Sequence, residues 1–328
     1  MRPLRIGTRA SALARWQAES VRSQLAEMGV AAELEFIRTT GDRESEASLR
    51  AIIDGQGGEK GGGKGVFIKE IEDALLDTRV DLAVHSMKDV PTELPGGLLL
   101  AATCRRADVR DALVARGWVG FDQLPQGARV GTSSLRRQAQ LRLRRPDLQM
   151  LEIRGNVDTR LAKVARGDYD AIVLAKAGLD RLGMADRITE VLSTDLCLPA
   201  AGQGAIGIEA RADDGELLKI LRRLNHADTQ IAVEAERIVL AGLQGGCQLP
   251  VGVWARQEGR RFLIEACVLA VDGSESMCVR RVGLPRDSEG LASQVAAALL
   301  GGGAERLLRP AGKSAEGKIP EGKSVEAP

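Results

Sequence analysis

Short apolar runs alternate along this chain with stretches whose apolar positions recur at helical spacing. Leu4 to Thr8 is the first such run. Ser11 is placed to cap the helix that follows, and Leu13, Trp16, Val21, Leu25 and Met28 fall at its helical period. Gly29 ends that helix and Ala32 to Ile37 forms a second strand, so the chain opens strand–helix–strand and predicts a parallel sheet. Leu82-Ala83-Val84, Leu98–Ala102, Ala112–Ala115, a strand ending at Gly131, Leu148–Ile153, Ala171–Ala175 and Ala205–Glu209 continue the series. Helices are predicted over Val66–Leu76, Gly215–Leu224 and Asp228–Leu243, the last capped by Asp228. Val251–Ala255, Phe262–Val271 and Met277–Val282, with a hairpin at Asp272-Gly273 and a helix over Ser288–Leu300, make a small α+β unit. Residues 310–328 carry almost nothing apolar and read as a disordered tail.

Composition narrows the classes. At roughly 100–200 residues per domain, 328 residues suggest two or three domains. Aromatic residues are only 2%, so the cores are aliphatic and stacking platforms for single-stranded nucleic acid are not expected. Lys+Arg 46 against Asp+Glu 45 excludes a general nucleic-acid binder and makes any basic patch local. No apolar run approaches the ~20 residues of a membrane span, and no secretory leader precedes the first strand. The five cysteines are scattered without a Cys-x-x-Cys pair. Neither a metal site nor a disulfide framework is indicated, and the expectation is a cytoplasmic chain with reduced thiols. Nothing demands more than a monomer.

The chemistry gathers at strand ends. His85, Ser86, Lys88 and Asp89 follow the Leu82–Val84 run, where open α/β sheets bind ligands. An ammonium favours the ionised form of a neighbouring carboxylate while burial opposes it, which makes Asp89 a candidate for proton handling. A solvated turn with a charge pair is the simpler reading of these residues alone. Arg9 and Ser11 occupy the first strand-to-helix turn. Thr132, Ser133 and Ser134 open a helix with Arg136 and Arg137 in its first turn. Two cations there oppose the helix dipole and call for an anion. Arg154, Arg160 and Arg181 repeat the arrangement at the next two junctions, and together these arginines imply a ligand with several carboxylates or phosphates. Lys176 reads as surface, Glu234 and Arg237 as a surface pair, and His226 as structural. Gln203 lies between two glycines, where a ligand contact and a simple turn are equally served.

Two further stretches carry signals. Gly55 to Gly65 holds seven glycines in eleven residues and reads as a mobile lid over a cleft. It nearly fits a phosphate-binding loop but has Gly65 where a Ser or Thr is needed. Gly245-Gly246-Cys247-Gln248 places a thiol in a glycine-flanked loop.

Taken together, Val84-His85-Ser86-Met87-Lys88-Asp89-Val90-Pro91, Gly131-Thr132-Ser133-Ser134-Leu135-Arg136-Arg137, Arg154-Gly155-Asn156 and Gly245-Gly246-Cys247-Gln248 resemble the porphobilinogen deaminase (hydroxymethylbilane synthase) family. The resemblance runs from Arg5 to about Leu300 with the motifs in the family's order. It implies two lobes similar to those of periplasmic anion-binding proteins, with parallel-rich sheets, plus a small α+β C-terminal domain. The implied boundaries are 1–104 with 200–224 for the first lobe, 105–199 for the second and 225–309 for the third. It further implies a dipyrromethane cofactor joined to Cys247 by a thioether. On that resemblance, porphobilinogen units would be added one at a time with loss of ammonia, and water would release the linear tetrapyrrole after four additions. Asp89 would be the catalytic carboxylate, stabilising an azafulvene-like cation and moving protons. Lys88, Ser134, Arg136, Arg137 and Arg160 would hold the cofactor. Arg9, Ser11, Thr132, Ser133, Arg154, Arg181 and Gln203 would hold the substrate and growing chain. Gln244 and Ala12 depart from the family's commoner Glu and Pro. A two-lobe anion-binding protein without catalysis is the alternative, against which Cys247 counts. A cysteine hydrolase would need His85 beside Cys247.

Overall fold

The computed structural model describes residues 2–39, 68–243 and 249–308. The glycine-rich stretch 55–65, Gln244, Cys247 and the tail 310–328 lie outside the described residues.

The first sheet has the order β2-β1-β3-β10-β4, built from β1 (Leu4–Thr8), β2 (Ala32–Phe36), β3 (Leu82–Ser86), β4 (Leu98–Thr103) and β10 (Ile206–Arg211). β1 is parallel to both β2 and β3, as the strand–helix–strand opening predicts. β10 runs antiparallel between β3 and β4, so the chain returns to this sheet after leaving it. Helix α1 (Ala12–Glu27) covers one face and α2 (Lys69–Leu76) the other. Leu82 and Val84 pack with Val21 and Leu25 of α1, and Ala83 packs with Ile71 and Leu75 of α2. Strand β3 therefore lacks the polar alternation of a one-sided sheet, since both of its faces are buried. Its strand pairing extends two residues beyond the apolar run, to His85 and Ser86.

The second sheet repeats the plan with the order β7-β6-β8-β5-β9. Its strands are β5 (Asp111–Ala115), β6 (Arg129–Gly131), β7 (Gln149–Leu151), β8 (Ala171–Ala175) and β9 (Glu190–Val191). β6 is parallel to β7 and β8, and β5 is antiparallel to β8 and β9. Helices α3 (Leu135–Arg144), α4 (Val157–Arg166) and α5 (Lys176–Arg181) follow β6, β7 and β8. Each sheet thus has three parallel strands, with an antiparallel strand in fourth place. That strand begins where the chain arrives from the other sheet, after 104–110 for β5 and after 192–205 for β10.

Past α6 (Gly215–Leu221) and α7 (Ala227–Gly242), strands β11 (Val251–Glu258), β12 (Arg261–Leu269) and β13 (Ser276–Gly283) form an antiparallel sheet. It packs against α7 and α8 (Ser288–Gly301) through Val239, Val253, Phe262, Ile264, Val295 and Leu299. Helix α9 (Ala304–Leu308) closes that core. Gly273 has φ +76° in the β12–β13 turn, as its place after Asp272 predicts. Among the described residues no helix is long and apolar enough to cross a membrane.

Three local expectations change. Helix α7 starts at Ala227 and is capped by His226, whose ring nitrogen accepts from Thr229 N, while Asp228 sits inside the first turn. Arg237 donates to the carbonyls of Val90, Pro91 and Thr92, and Glu234 accepts from Gln230, so the two are not a pair. Lys176 keeps its surface reading, in an exposed i,i+4 ion pair with Asp180 at 2.6 Å. Cys267 and Cys278, opposite each other on β12 and β13, are joined as a disulfide, contrary to reduced thiols throughout. Strand register brings them together, and spacing in sequence does not reveal register.

Candidate active site

At the carboxyl end of β3 the chain enters a single 3-10 turn, Met87–Asp89. Met87 is buried and anchors it, leaving Lys88 half-buried and Asp89 exposed. The turn is held from three sides. Arg237 of α7 grips the carbonyls that follow it. Ser86 Oγ is hydrogen-bonded to Gln17 of α1. Gly202, at φ +72°, lies so close that a Cβ there would come 2.7 Å from Met87 Cγ and 3.1 Å from Lys88 N. Gly204, at φ +87°, presses equally on the carbonyl of Ala107. Between them Gln203 is fully buried and lies in the site's polar network. Its Nε2 donates to Val109 O at 2.7 Å and Asp111 Oδ1 at 2.9 Å, and Lys88 Nζ reaches its Oε1 at 3.5 Å.

Asp111 is the centre of the facing edge. It opens β5, is fully buried, and takes Arg136 Nη2 at 2.8 Å and Arg137 Nη2 at 2.7 Å. Burial alone would raise its pKa. Arg136 and Arg137 more than reverse that, holding the carboxyl well below the usual carboxylate range. The remaining donors of the two arginines go to backbone, Arg136 Nη1 to Leu198 O at 2.6 Å and Arg137 Nη1 to Val173 O at 3.0 Å. Cys197 lies against the same carboxylate, and burial pushes its thiol up to about 12, so it stays a thiol.

The other predicted residues meet different fates. Arg160 is half-buried in α4 and donates to Gly155 O. Burial first, and then Arg137, lowers its pKa to about 10. Arg181 donates to Gly204 O at 2.7 Å and lies over the Trp16 ring at 5.6 Å, linking α5 to α1 across the cleft. Arg154 is exposed and paired with Glu152. Ser134 caps α3 by accepting from Arg137 N, and Ser11 caps α1 by accepting from Ala14 N. Thr132 is buried and accepts from Ser134 N. Ser133 is exposed, and its hydroxyl donates to Ile153 O, joining the ends of β6 and β7. Arg9 is half-buried in the β1–α1 turn. His85 points away from the cleft edge: its Nε2 lies 3.0 Å from Glu209 Oε2, on the side of the sheet under α2, and both residues are buried.

Charge does not balance at this edge. Among the described residues, Lys88, Arg136, Arg137 and Arg160 act on one another, with the carboxylates of Asp89 and Asp111 in opposition. Burial, reinforced by Arg137, lowers Lys88 to about 8. Arg136 Nε is buried with no hydrogen-bond partner among the described residues, an expensive state for a charged donor. Four cations, two carboxylates and an orphaned guanidinium N–H suit a group with several carboxylates, which is what a dipyrromethane carries. Sequence reasoning missed Asp111. A single acid at the start of an apolar run has no motif, and only its junction with α3 gives it meaning. Arg106 was missed for the same reason. It makes a two-pronged pair with buried Glu236 of α7 at 2.6 and 3.0 Å, and Glu236 also accepts from Gly202 N and Ala255 N. This knot ties the crossing segment, the Gln203 turn and the third sheet together.

Known proteins resemble this chain along most of its length. Residues 4–219 match the family model described as porphobilinogen deaminase, dipyromethane cofactor binding domain, and residues 230–301 match the porphobilinogen deaminase C-terminal domain. The porphobilinogen deaminase of Trichlorobacter lovleyi is 47% identical over 307 residues, covering 93% of this chain and 95% of that protein. That of Syntrophotalea carbinolica is 49% identical over 307 residues, covering 93% and 95%. Among solved structures, a periplasmic substrate-binding protein of an ABC transporter from Coxiella burnetii aligns with a TM-score of 0.42 at 14% identity, over 67% of this chain and 91% of that one. The matches span both lobes and the third domain and do not favour a binding protein without catalysis. On the cleft-edge Lys-Asp turn, the cation cluster facing it and these matches, the chain belongs to the porphobilinogen deaminase family.

Proposed function

We propose that this chain is a hydroxymethylbilane synthase, condensing four porphobilinogen molecules with loss of ammonia and releasing the linear product with water. The observation that carries the reading is the surplus of cations, Arg136 and Arg137 buried and Lys88 and Arg160 half-buried, beside an exposed carboxylate at one cleft edge. Each porphobilinogen brings an acetate and a propionate, so a growing chain accumulates the charge this edge lacks.

The residues divide the work. Lys88, Arg136, Arg137 and Arg160, with Ser134 shaping the helix start, hold the cofactor's carboxylates, and Cys247 is its covalent anchor. When bound, the dipyrromethane supplies the pyrrole carbon to which the first substrate unit is joined. Arg9, Arg154 and Arg181, with Ser11, Thr132, Ser133 and Gln203, line the path of substrate and lengthening chain. Arg181 reaches a carboxylate by giving up Gly204 O. Asp89, exposed at the end of a braced turn, delivers a proton to the leaving amine and takes one from the pyrrole, its negative charge favouring the cation formed between those steps. Residues 1–104 with 200–224, 105–199 and 225–309 act as the two lobes and the cofactor-bearing domain, in a cytoplasmic monomer. The test is turnover: the purified protein is given porphobilinogen, and ammonia and hydroxymethylbilane are measured. Four ammonia per product supports the reading. Substrate left intact by protein that carries its cofactor overturns it.

A further inference from the structure

We propose that Asp111 is a positioning residue for this cluster: it fixes the guanidinium groups of Arg136 and Arg137 and keeps the neighbouring Lys88 ammonium charged. The proposal deepens the functional reading and rests on it for the identity of the anion served. Asp111 Oδ1 accepts from Arg137 Nε at 3.1 Å, Arg137 Nη2 at 2.7 Å and Gln203 Nε2 at 2.9 Å. Its Oδ2 accepts from Arg136 Nη2 at 2.8 Å and faces Cys197 Sγ at 3.3 Å. A carboxylate so engaged cannot turn, and it holds two planar guanidiniums in one orientation each.

The effect on Lys88 has two routes. The first is charge. An arginine does not give up its proton inside a protein, so where cations crowd in a buried place the lysine is the group that yields. Arg136 and Arg137 act on Lys88 from α3, Asp89 from its own turn and Asp111 from β5. Arg181 of α5 lines the same cleft, and Arg160 of α4 is coupled to Arg137 and Asp89. Both carboxylates favour the ammonium. Asp89 is exposed and, in the proposed cycle, is discharged each time it takes up a proton. Asp111 is fully buried and held ionised, so its support is constant. The second route is orientation. The Gln203 carboxamide could present either its oxygen or its NH2 to the lysine. By accepting from Nε2, Asp111 turns the oxygen towards Lys88 Nζ.

The test is competitive acetylation of the purified protein with trace acetic anhydride across a pH series, with Lys88 read by peptide mass spectrometry. Lys88 in the unaltered protein is expected to react with a midpoint of about 8. In Asp111→Asn the midpoint is expected to fall by about one pH unit, and the alkaline rise of KM for porphobilinogen to move with it. A merely structural role would lower the melting temperature and leave the midpoint in place, which would overturn the proposal. If Asp111→Asn does not fold, Gln203→Leu decides: it keeps the carboxylate and removes the relay, so a smaller fall is expected and an unmoved midpoint overturns the claim. Failure of the unaltered protein to turn over porphobilinogen would strike the functional reading alone, since acetylation needs no substrate.

Discussion

The two sheets share a strand plan and treat charge at their cleft edges in opposite ways. At the end of β3, Asp89 is exposed and Lys88 half-buried, on a turn braced by its neighbours. Across the cleft, Asp111, Arg136 and Arg137 are all buried and spend their polar atoms largely on one another and on backbone carbonyls. The first edge offers a carboxylate to a reactant. The second is a fixed field, with its cations locked in place before any ligand arrives. Chemistry needs a group whose proton can leave and return, whereas recognition of a polyanion needs charge that stays put.

The largest expected effect falls on the first edge. Asp89→Asn keeps shape and removes the titrating group, so turnover is expected to drop by ~10²–10⁴-fold. Because Asp89 is exposed, urea unfolding of that variant is expected to match the unaltered protein. Near-normal turnover would break the comparison at its root. The second edge should answer in stability instead. Asp111→Ala leaves two buried guanidiniums uncompensated, and unfolding free energy is expected to fall by about 3–5 kcal/mol. An equilibrium denaturation curve that does not move would show that the cluster carries no structural burden.

The pH dependence sharpens the contrast. Lys88 has its folded pKa lowered to about 8, so the unfolded chain binds the extra proton between about 8 and the ordinary lysine value. The cost of holding that ammonium in the fold is therefore present below pH 8 and relieved as pH rises through this window. Substrate affinity runs the other way: KM should climb above about pH 8 as the lysine loses its charge, and proton uptake on binding should appear in calorimetry run in buffers of different ionisation heat. Absence of proton uptake at pH 8.5 would remove Lys88 from the anion site. A smaller effect, on the order of 2 kcal/mol, is expected in the third domain when the Cys267–Cys278 bond is reduced, read as a lower unfolding midpoint with thiol reductant. The smallest belongs to Arg154, exposed and paired with Glu152, where Arg154→Ala should leave stability within about 0.5 kcal/mol.

Much of the fold was legible because it is local. The apolar runs, the cap at Ser11, the hydroxyls that open α3 and the glycine after α1 mark their elements in the sequence alone. The antiparallel direction of β5 and β10 was not, since a run buried on both faces reads the same in either direction. The site was legible by residue type and not by fate. The arginines do stand at successive strand ends, yet Arg136 and Arg137 are internal, Arg154 is solvated and Arg181 joins α5 to the Gly204 turn and Trp16. What separates them is Asp111, which opens β5 of the same sheet just past the crossing segment, and Gln203, which arrives on the return. His226 escaped as a cap because histidine seldom serves as one, and the disulfide escaped because pairing is a matter of register.

The central claim is that this cleft edge holds a covalently anchored group rich in carboxylates. It is tested most directly by the intact mass of the denatured protein beside Cys247→Ala. An excess equal to two linked pyrrole units, absent in the variant, is the predicted result. Protein that turns over porphobilinogen with no excess mass, or an excess that survives Cys247→Ala, would contradict it.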